Sequence, residues 1–466
     1  MKKFILIFPL LLFFASKSFG TIINVPGDYS SIQLAIEASL DGDTILVDPG
    51  TYMENINFRD KNIVVTSRYY IANDVGYITN TIIDGSTPVN ADTASCVIIS
   101  GGQDSTAVLQ GFTLTGGGGT KWFDIHGAGT YREGGGILIE LSSPVIQNNI
   151  IRDNVITNVT GVVSTGGGGI RIGDGNPKIL NNIIIRNSGK YGAGVVLNYT
   201  GVIIKNNVIA KNFGSNAFGG GSGIWNTGSF GTVPKLIENN TIVDNSAGAG
   251  TGGIQSFSTL LILRNNIVYG NTSPSNTQIA GSVSATYSNV QGGFTGEGNI
   301  NMPPLFDTTN YYLSNASPCI DMGDTSIIFN DVEDSTSPGN ALFPSKGTIR
   351  NDMGAYGGEG ALILGESTVS IQNISQSIPD AFQLYQNYPN PFNPETVIRF
   401  DLTRSSQTVL KVFDITGREV AVLVNRRLEP GTYQYTFAAG NLPSGVYLYS
   451  VYADGFSETK RMVLVK

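Results

Sequence analysis

The chain has one histidine, His126, two cysteines and two tryptophans in 466 residues, and only 14% of its residues are charged. A single histidine excludes metal centres built on several imidazoles and leaves any histidine-based triad one possible base. Two cysteines cannot supply the disulfide framework of a small secreted scaffold. The acidic balance, a net charge of −8, repels phosphate backbones, so no nucleic-acid partner is expected. No phosphate-cradling glycine loop, zinc spacing or Ser/His/Asp set stands out. Beyond the first twenty residues no apolar run is long enough to cross a bilayer.

What the chain does have is glycine, 59 residues of it, and an internal repeat. Aligned on the second Asn of a doublet, five copies read PVIQNNIIRDN, KILNNIIIRN, IIKNNVIAKN, LIENNTIVDN and LILRNNIVYGN. The anchors Asn149, Asn182, Asn207, Asn240 and Asn266 are spaced 33, 25, 33 and 26 residues apart. Repeats of this length indicate a solenoid. Three positions before the anchor stand Ile146, Ile179, Ile204, Ile237 and Leu263, and two positions after it Ile151, Ile184, Ile209, Ile242 and Val268. The column between Ile146 and its anchor (Gln147, Leu180, Lys205, Glu238, Arg264) is mostly polar, which is strand alternation and not a helical period. A second Asn column (Asn154, Asn187, Asn212, Asn245, Asn271) ends each copy, and a glycine-opened strand precedes it, with Ile137, Ile170, Val195, Ile224 and Ile254 as its first apolar residues. Each coil thus holds about three short strands with polar corners, and stacked Asn side chains can bond up the column. The predicted fold is all-β, a right-handed parallel β-helix. In such a stack Cys96 and Cys319 lie about seven coils apart, roughly 35 Å at about 4.8 Å per strand. That is too far for a bridge, and their apolar contexts mark them as reduced core residues.

Residues 1–20 read as a secretory signal: Lys2 and Lys3, an apolar run Phe4–Phe14, and small residues before a cut after Gly20. Ser30 and Gln33 suggest a capping box opening an amphipathic helix (Ile32, Ala35, Ile36, Leu40) that covers the first coil. This opening and the Asn-corner repeat resemble secreted β-helix proteins of the pectin-lyase-like superfamily over residues 21–363. The segments SPCIDMGD and NDMGAYGG resemble the closing coils of such exported proteins, with Asp321, Asp324 and Asp352 as turn and corner residues. Residues 364–381 read as a linker. From 382 to 466, short alternating strands and turn signals predict a small Ig-like β-sandwich of about seven strands. The motifs NYPNPFNP (387–394), DITGREV (414–420), LPSGVYLY (442–449) and KRMVLVK (460–466) closely resemble the C-terminal sorting domain of the type IX secretion system. That resemblance implies the type IX machinery as a partner, and release or attachment at the outer cell surface.

In a solenoid, per-coil insertions project from one edge and build the binding face. The longest is Gly116–Gly134, which carries Trp122, Asp124, His126, Tyr131, Arg132 and Glu133. Lys190 and Tyr191 belong to the next loop on that edge, while Arg171 and Trp225 occupy an outward column with Leu138, Val196 and Gln255. Ring faces that stack on sugar C–H surfaces, with polar groups to fix hydroxyls, suit a polysaccharide or matrix ligand, though the same rings could pack the loop on its own coil. Lyases of the resembled superfamily abstract a proton with Arg or Lys while acids hold calcium. That alternative, lyase or glycosidase, would use Arg132, Arg171 or Lys190 as base and Asp124, Glu133, Glu140 or Asp174 for the ion. No column of stacked Asp residues supports it, and the lone His lies in Ile-His-Gly without an adjacent Asp pair. The expectation is a surface-displayed binding or scaffold protein with no cofactor except, in the alternative, calcium.

Overall fold

The computed structural model describes residues 20–157, 160–215, 218–307, 310–335, 337–362, 372–375, 379–428, 430–439, 442–453 and 455–465. The expected leader, apart from Gly20, lies outside these residues. Three stacks of short parallel strands build the first unit. One runs through Ile137–Glu140, Ile170–Gly173, Val195–Asn198 and Ile224–Thr227, and a second through Val145–Gln147, Lys178–Leu180, Val202–Lys205 and Lys235–Glu238. The long strand Thr251–Arg264 passes through both and joins them into one 16-stranded sheet. The third stack is a separate nine-stranded sheet containing Ile150–Arg152, Ile183–Ile185, Val208–Ala210 and Thr241–Val243.

Strand pairing follows the repeat residue for residue: Ile146, Ile179, Ile204, Ile237 and Leu263 stack in one register, and Ile151, Ile184, Ile209, Ile242 and Val268 in another. All are buried in a single core, each contributing about 1.5–3 kcal/mol by removal from water. β-branched side chains dominate because their restricted χ1 suits identical neighbours above and below on a pleated surface. Lys235 is the exception, an inward lysine between Val202 and Leu261. Its ammonium meets only neutral oxygens, those of Asn226, Thr227, Gly228 and Thr259, and burial lowers its pKa to about 7.

Corners explain the asparagines. The first Asn of each doublet (Asn148, Asn181, Asn206, Asn239, Asn265) is left-handed, with φ between 50° and 58°, a conformation Asn tolerates better than other side chains. Turning there aims the second Asn inward. Asn182 shows the pattern: its Nδ2 donates to Ile146 O (2.9 Å), Leu180 O (3.0 Å) and the Oδ1 of Asn207 one coil on (3.0 Å). The second ladder runs likewise from Asn154 through Asn187, Asn212 and Asn245 to Asn271. Both ladders stop at a different residue. Ser288 Oγ accepts from Asn266 N (3.1 Å) but spends its own proton on Thr286 O. Gln278 Oε1 accepts from Asn271 (2.9 Å) while its Nε2 turns back to Asn271 O.

At the amino end, helix Ile32–Ala38 caps the coil as expected, but Ser31, not Ser30, is its N-cap, accepting from Leu34 N at 3.2 Å. Glu54 takes the two N–H groups at Ile32 and Gln33, completing what a capping box would have done locally. Lys61 satisfies carbonyls of the last turn at Ile36, Glu37 and Ser39. Asp41 and Asp43 accept backbone N–H groups of Asn62, Thr21 and Leu40, which is turn chemistry.

The carboxyl end departs from expectation. The described residues between 303 and 360 do not add closing coils; they fold back over the outer face of the nine-stranded sheet. Tyr311, Tyr312, Leu313, Cys319, Met353 and Tyr356 pack there on Ile183, Ile185, Val208, Ala210 and Val243. Asn206 donates to Ala355 O and Gly357 O, and Asn239 to Asp352 O, so the outward Asn of these two doublets pins the cover. Asp321, Asp324 and Asp352 do serve turns: Asp352 accepts from Asp321 N and Lys346 N, Asp321 from Thr348 N, and Asp324 from Ser326 N. Burial raises the carboxyl pKa of Asp331 and of Asp352, and the charge of Asp331 adds to the effect on Asp352. Both cysteines are buried and free.

The second unit is a sandwich of two four-stranded antiparallel sheets, eight strands among the described residues. One of them, Gln372–Ser375, falls inside the expected linker and pairs with Gly431–Ala438.

Candidate functional site

The insertion Gly116–Gly134 is a β-hairpin, Gly119–Asp124 against Gly129–Glu133, tied to the stack through Arg132↔Thr165 and Glu133↔Gly166. Its alternation sorts the expected site residues into two sets. Trp122, Asp124, Tyr131 and Glu133 face the solenoid; Lys121 and Arg132 face the other way, where both pair with Asp92. Arg132 also donates to Ala91 O (2.7 Å) and Gly119 O (2.9 Å), so it is fixed away from the cleft.

Under the hairpin lies Arg171. It occupies the outward column predicted for it, yet is fully buried, because the hairpin covers it. Its guanidinium stacks 3.6 Å from the Trp122 ring centroid, pairs with Glu140 and Glu133, and donates to Ile139 O. A Cβ at position 173 would collide with that guanidinium, which is why glycine stands there. Glu133 is held from three sides: Trp122 Nε1 donates to Oε2 (2.8 Å), Tyr191 OH donates to Oε1, and Arg171 Nε lies 3.4 Å from Oε2. Burial raises its pKa, opposed by Arg171 and by the Tyr191 and Trp122 donors. Burial also drives the Tyr191 hydroxyl well above its usual range, with the neighbouring Glu133 charge adding to it. Gly166 leaves room for the Tyr191 ring, since a Cβ there would sit 2.6 Å from it.

His126 is at the hairpin tip, where Asp124 Oδ1 accepts its backbone N–H (3.0 Å). Its ring stacks on Tyr199 at 3.6 Å, and Nε2 lies 2.9 Å from Asp174 Oδ1, so it ties the tip to later coils. Trp225 is half-buried and extends the aromatic surface to Tyr191 (5.0 Å), Phe218 (6.4 Å) and Phe257 (5.6 Å). Between hairpin and stack remains a cleft of about 140 Å³ lined by Trp122, Asp124, Tyr131, Glu133, Tyr191 and Trp225, with Asn198, Tyr199, Phe218 and Thr227 added by the solenoid. Exposed Ala128 and Phe218 flank its mouth.

Of the ten expected site residues, the structure brings six to the lining. Arg171 lies behind it, His126 beside it, Arg132 on the far face, and half-buried Lys190 outside the lining set. Tyr199, Asn198 and Phe218 were not foreseen. Asn198 and Thr227 share the column of Glu140 and Gly173, the same outward face two positions on from Arg171 and Trp225, and that spacing is the signal that could have found them. A larger depression of about 570 Å³ near Glu54, Arg59 and Asn90 has no aromatic ring among its lining residues. Among the described residues no three His, Cys, Asp or Glu side chains are grouped to hold a metal ion.

The fold is a parallel β-solenoid followed by a sandwich module, and comparison with known proteins places that module. Residues 386–466 match the family described as secretion system C-terminal sorting domain. The chain is therefore exported, to the cell surface or the extracellular space, through the type IX machinery that reads such domains. No helix among the described residues is long and apolar enough to cross a membrane. Among solved structures, the chain aligns with PorZ, described as an essential bacterial surface component of the type-IX secretion system of Porphyromonas gingivalis. Identity is 21% over 26% of this chain and 14% of that chain, with a TM-score of 0.14. No curated protein matches the chain.

Proposed function

We propose that the exported solenoid, akin to pectin-lyase-like β-helices, binds polysaccharide at the cleft beneath the hairpin, on a scaffold displayed at or shed from the cell surface. The observation that carries this reading is the cleft itself: the rings of Tyr131, Tyr199 and Trp225, backed by Trp122, line a space of about 140 Å³, with Asn198 and Thr227 to meet hydroxyls. The packing of the expected bases supports binding over turnover. Arg171 is locked in ion pairs out of reach of solvent, Arg132 points away, and Lys190 lies outside the lining. Affinity electrophoresis and calorimetry of the mature chain against neutral and acidic polysaccharides, with and without calcium, test it. Retardation that Trp225→Ala abolishes without moving the melting temperature is expected. Release of unsaturated uronate or of reducing ends would overturn the reading in favour of a lyase or glycosidase.

A further inference from the structure

Four carboxylates gather around one guanidinium at this edge. Arg171 pairs with Glu133 and Glu140, and Asp174 and Asp124 lie close enough to act on it electrostatically. Asp174 is buried to 6% exposure, and its Oδ2 has no hydrogen-bond partner. One guanidinium thus faces four carboxyl groups. Among the described residues lining the cleft none is cationic, while Asp124 and Glu133 both line it. The walls are ring faces, whose negative quadrupole attracts cations. One such position is already filled from within, by the Arg171 guanidinium over Trp122. Tyr131, Tyr199 and Trp225 offer further rings to the empty side. A space of about 140 Å³ suits one sugar ring or a smaller ammonium group.

Building on the glycan reading above, we infer that the cleft selects an amine-bearing sugar, a hexosamine unit with a free ammonium group, and disfavours uronates. The ammonium sits among the rings with the carboxylate of Asp124, 3% exposed but part of the lining, as its counter-charge, while the pyranose face stacks on Trp225. A uronate carboxylate would instead meet Asp124 and Glu133, like charges in a partly desolvated site.

Both tryptophans of the chain line the cleft, so intrinsic fluorescence reports its occupancy directly. The full mature chain would be titrated with glucosamine oligomers, with the same oligomers N-acetylated, with oligogalacturonate, and with tetramethylammonium. The expected result is a saturable change with glucosamine oligomers, at least tenfold weaker after acetylation and absent with oligogalacturonate. Asp124→Asn should erase most of the preference for the free amine. Because Asp124 also shapes the hairpin turn, the acetylation series on the unaltered chain decides if that variant misfolds. Equal response to acetylated and free oligomers would overturn the cation assignment and leave glycan binding standing. Response to tetramethylammonium but to no sugar would overturn the sugar assignment. Silence toward every glycan, with no retardation in gels, would overturn both.

Discussion

The solenoid is covered from outside in two places, and the two covers are built on opposite principles. Residues 303–360 lie on the nine-stranded sheet through a dry cluster of Ile, Val, Ala and Tyr side chains. The hairpin 119–133 lies on the 16-stranded sheet through an ion cluster, rings and a cleft. A dry cover stabilises by area and tolerates no ligand; an ionic one gains less from burial, since desolvation offsets Coulomb attraction, but leaves chemistry exposed at its rim. Structural closure and the candidate site are therefore divided between faces.

Removing the central cation breaks the contrast most sharply. Arg171→Met should destabilise by about 3–5 kcal/mol, because Glu133 and Glu140 are left buried without their partner. Denaturant unfolding of the purified variant measures it. A loss under about 1 kcal/mol would mean the ion cluster adds little to the rings, strand pairing and His126 contacts that also hold the hairpin. Next in size is a corner of the asparagine ladder. Asn207→Ala strands the carbonyls of Ile179 and Lys205 and the Asn240 acceptor, for about 2–4 kcal/mol by the same assay.

Further effects follow from pH. Asp331 and Asp352 under the dry cover, and Glu133 under the ionic one, have folded pKa values raised by burial. Between the ordinary carboxylate range near about 4 and those raised values the native state binds more protons than the unfolded one. Stability is therefore present in weak acid and lost as pH rises toward neutrality, by up to about 1.4 kcal/mol per pH unit for each group. Urea midpoints should fall over that window, and Asp331→Asn should flatten the fall. Lys235 works with the opposite sign: its folded pKa of about 7 makes the unfolded state bind the extra proton, so stability rises from there toward about pH 10. Lys235→Met should abolish that rise. Least of all, Arg186→Ala removes an exposed pair with Asp153 (2.8 Å) and should change stability by less than about 1 kcal/mol.

The repeat was legible because interior positions are forced to agree with the coil above, so identity at Ile151, Ile184 and Ile209 encodes contact. Covers are not periodic and leave a weaker trace. That trace was present: Ile150, Ile183, Val208 and Ile267 are outward residues that should have been polar, and their apolarity marks a hidden face. Likewise one Asn of each doublet was read as the ladder, while its partner's left-handed turn and grip on the cover needed coordinates. At the edge, six of the ten residues singled out from the sequence line the cleft. Which of them line the cleft depends on hairpin alternation, and a stretch expected to be a loop gave no register from which to assign it.

Ser288 and Gln278 deserve a last consequence. Each takes the amide proton handed down its column and passes none on, so the stack carries its own terminator. Length in such a protein is then an editable quantity: a duplicated coil inserted above these two residues extends the rod, whereas one placed below them finds no donor to receive it.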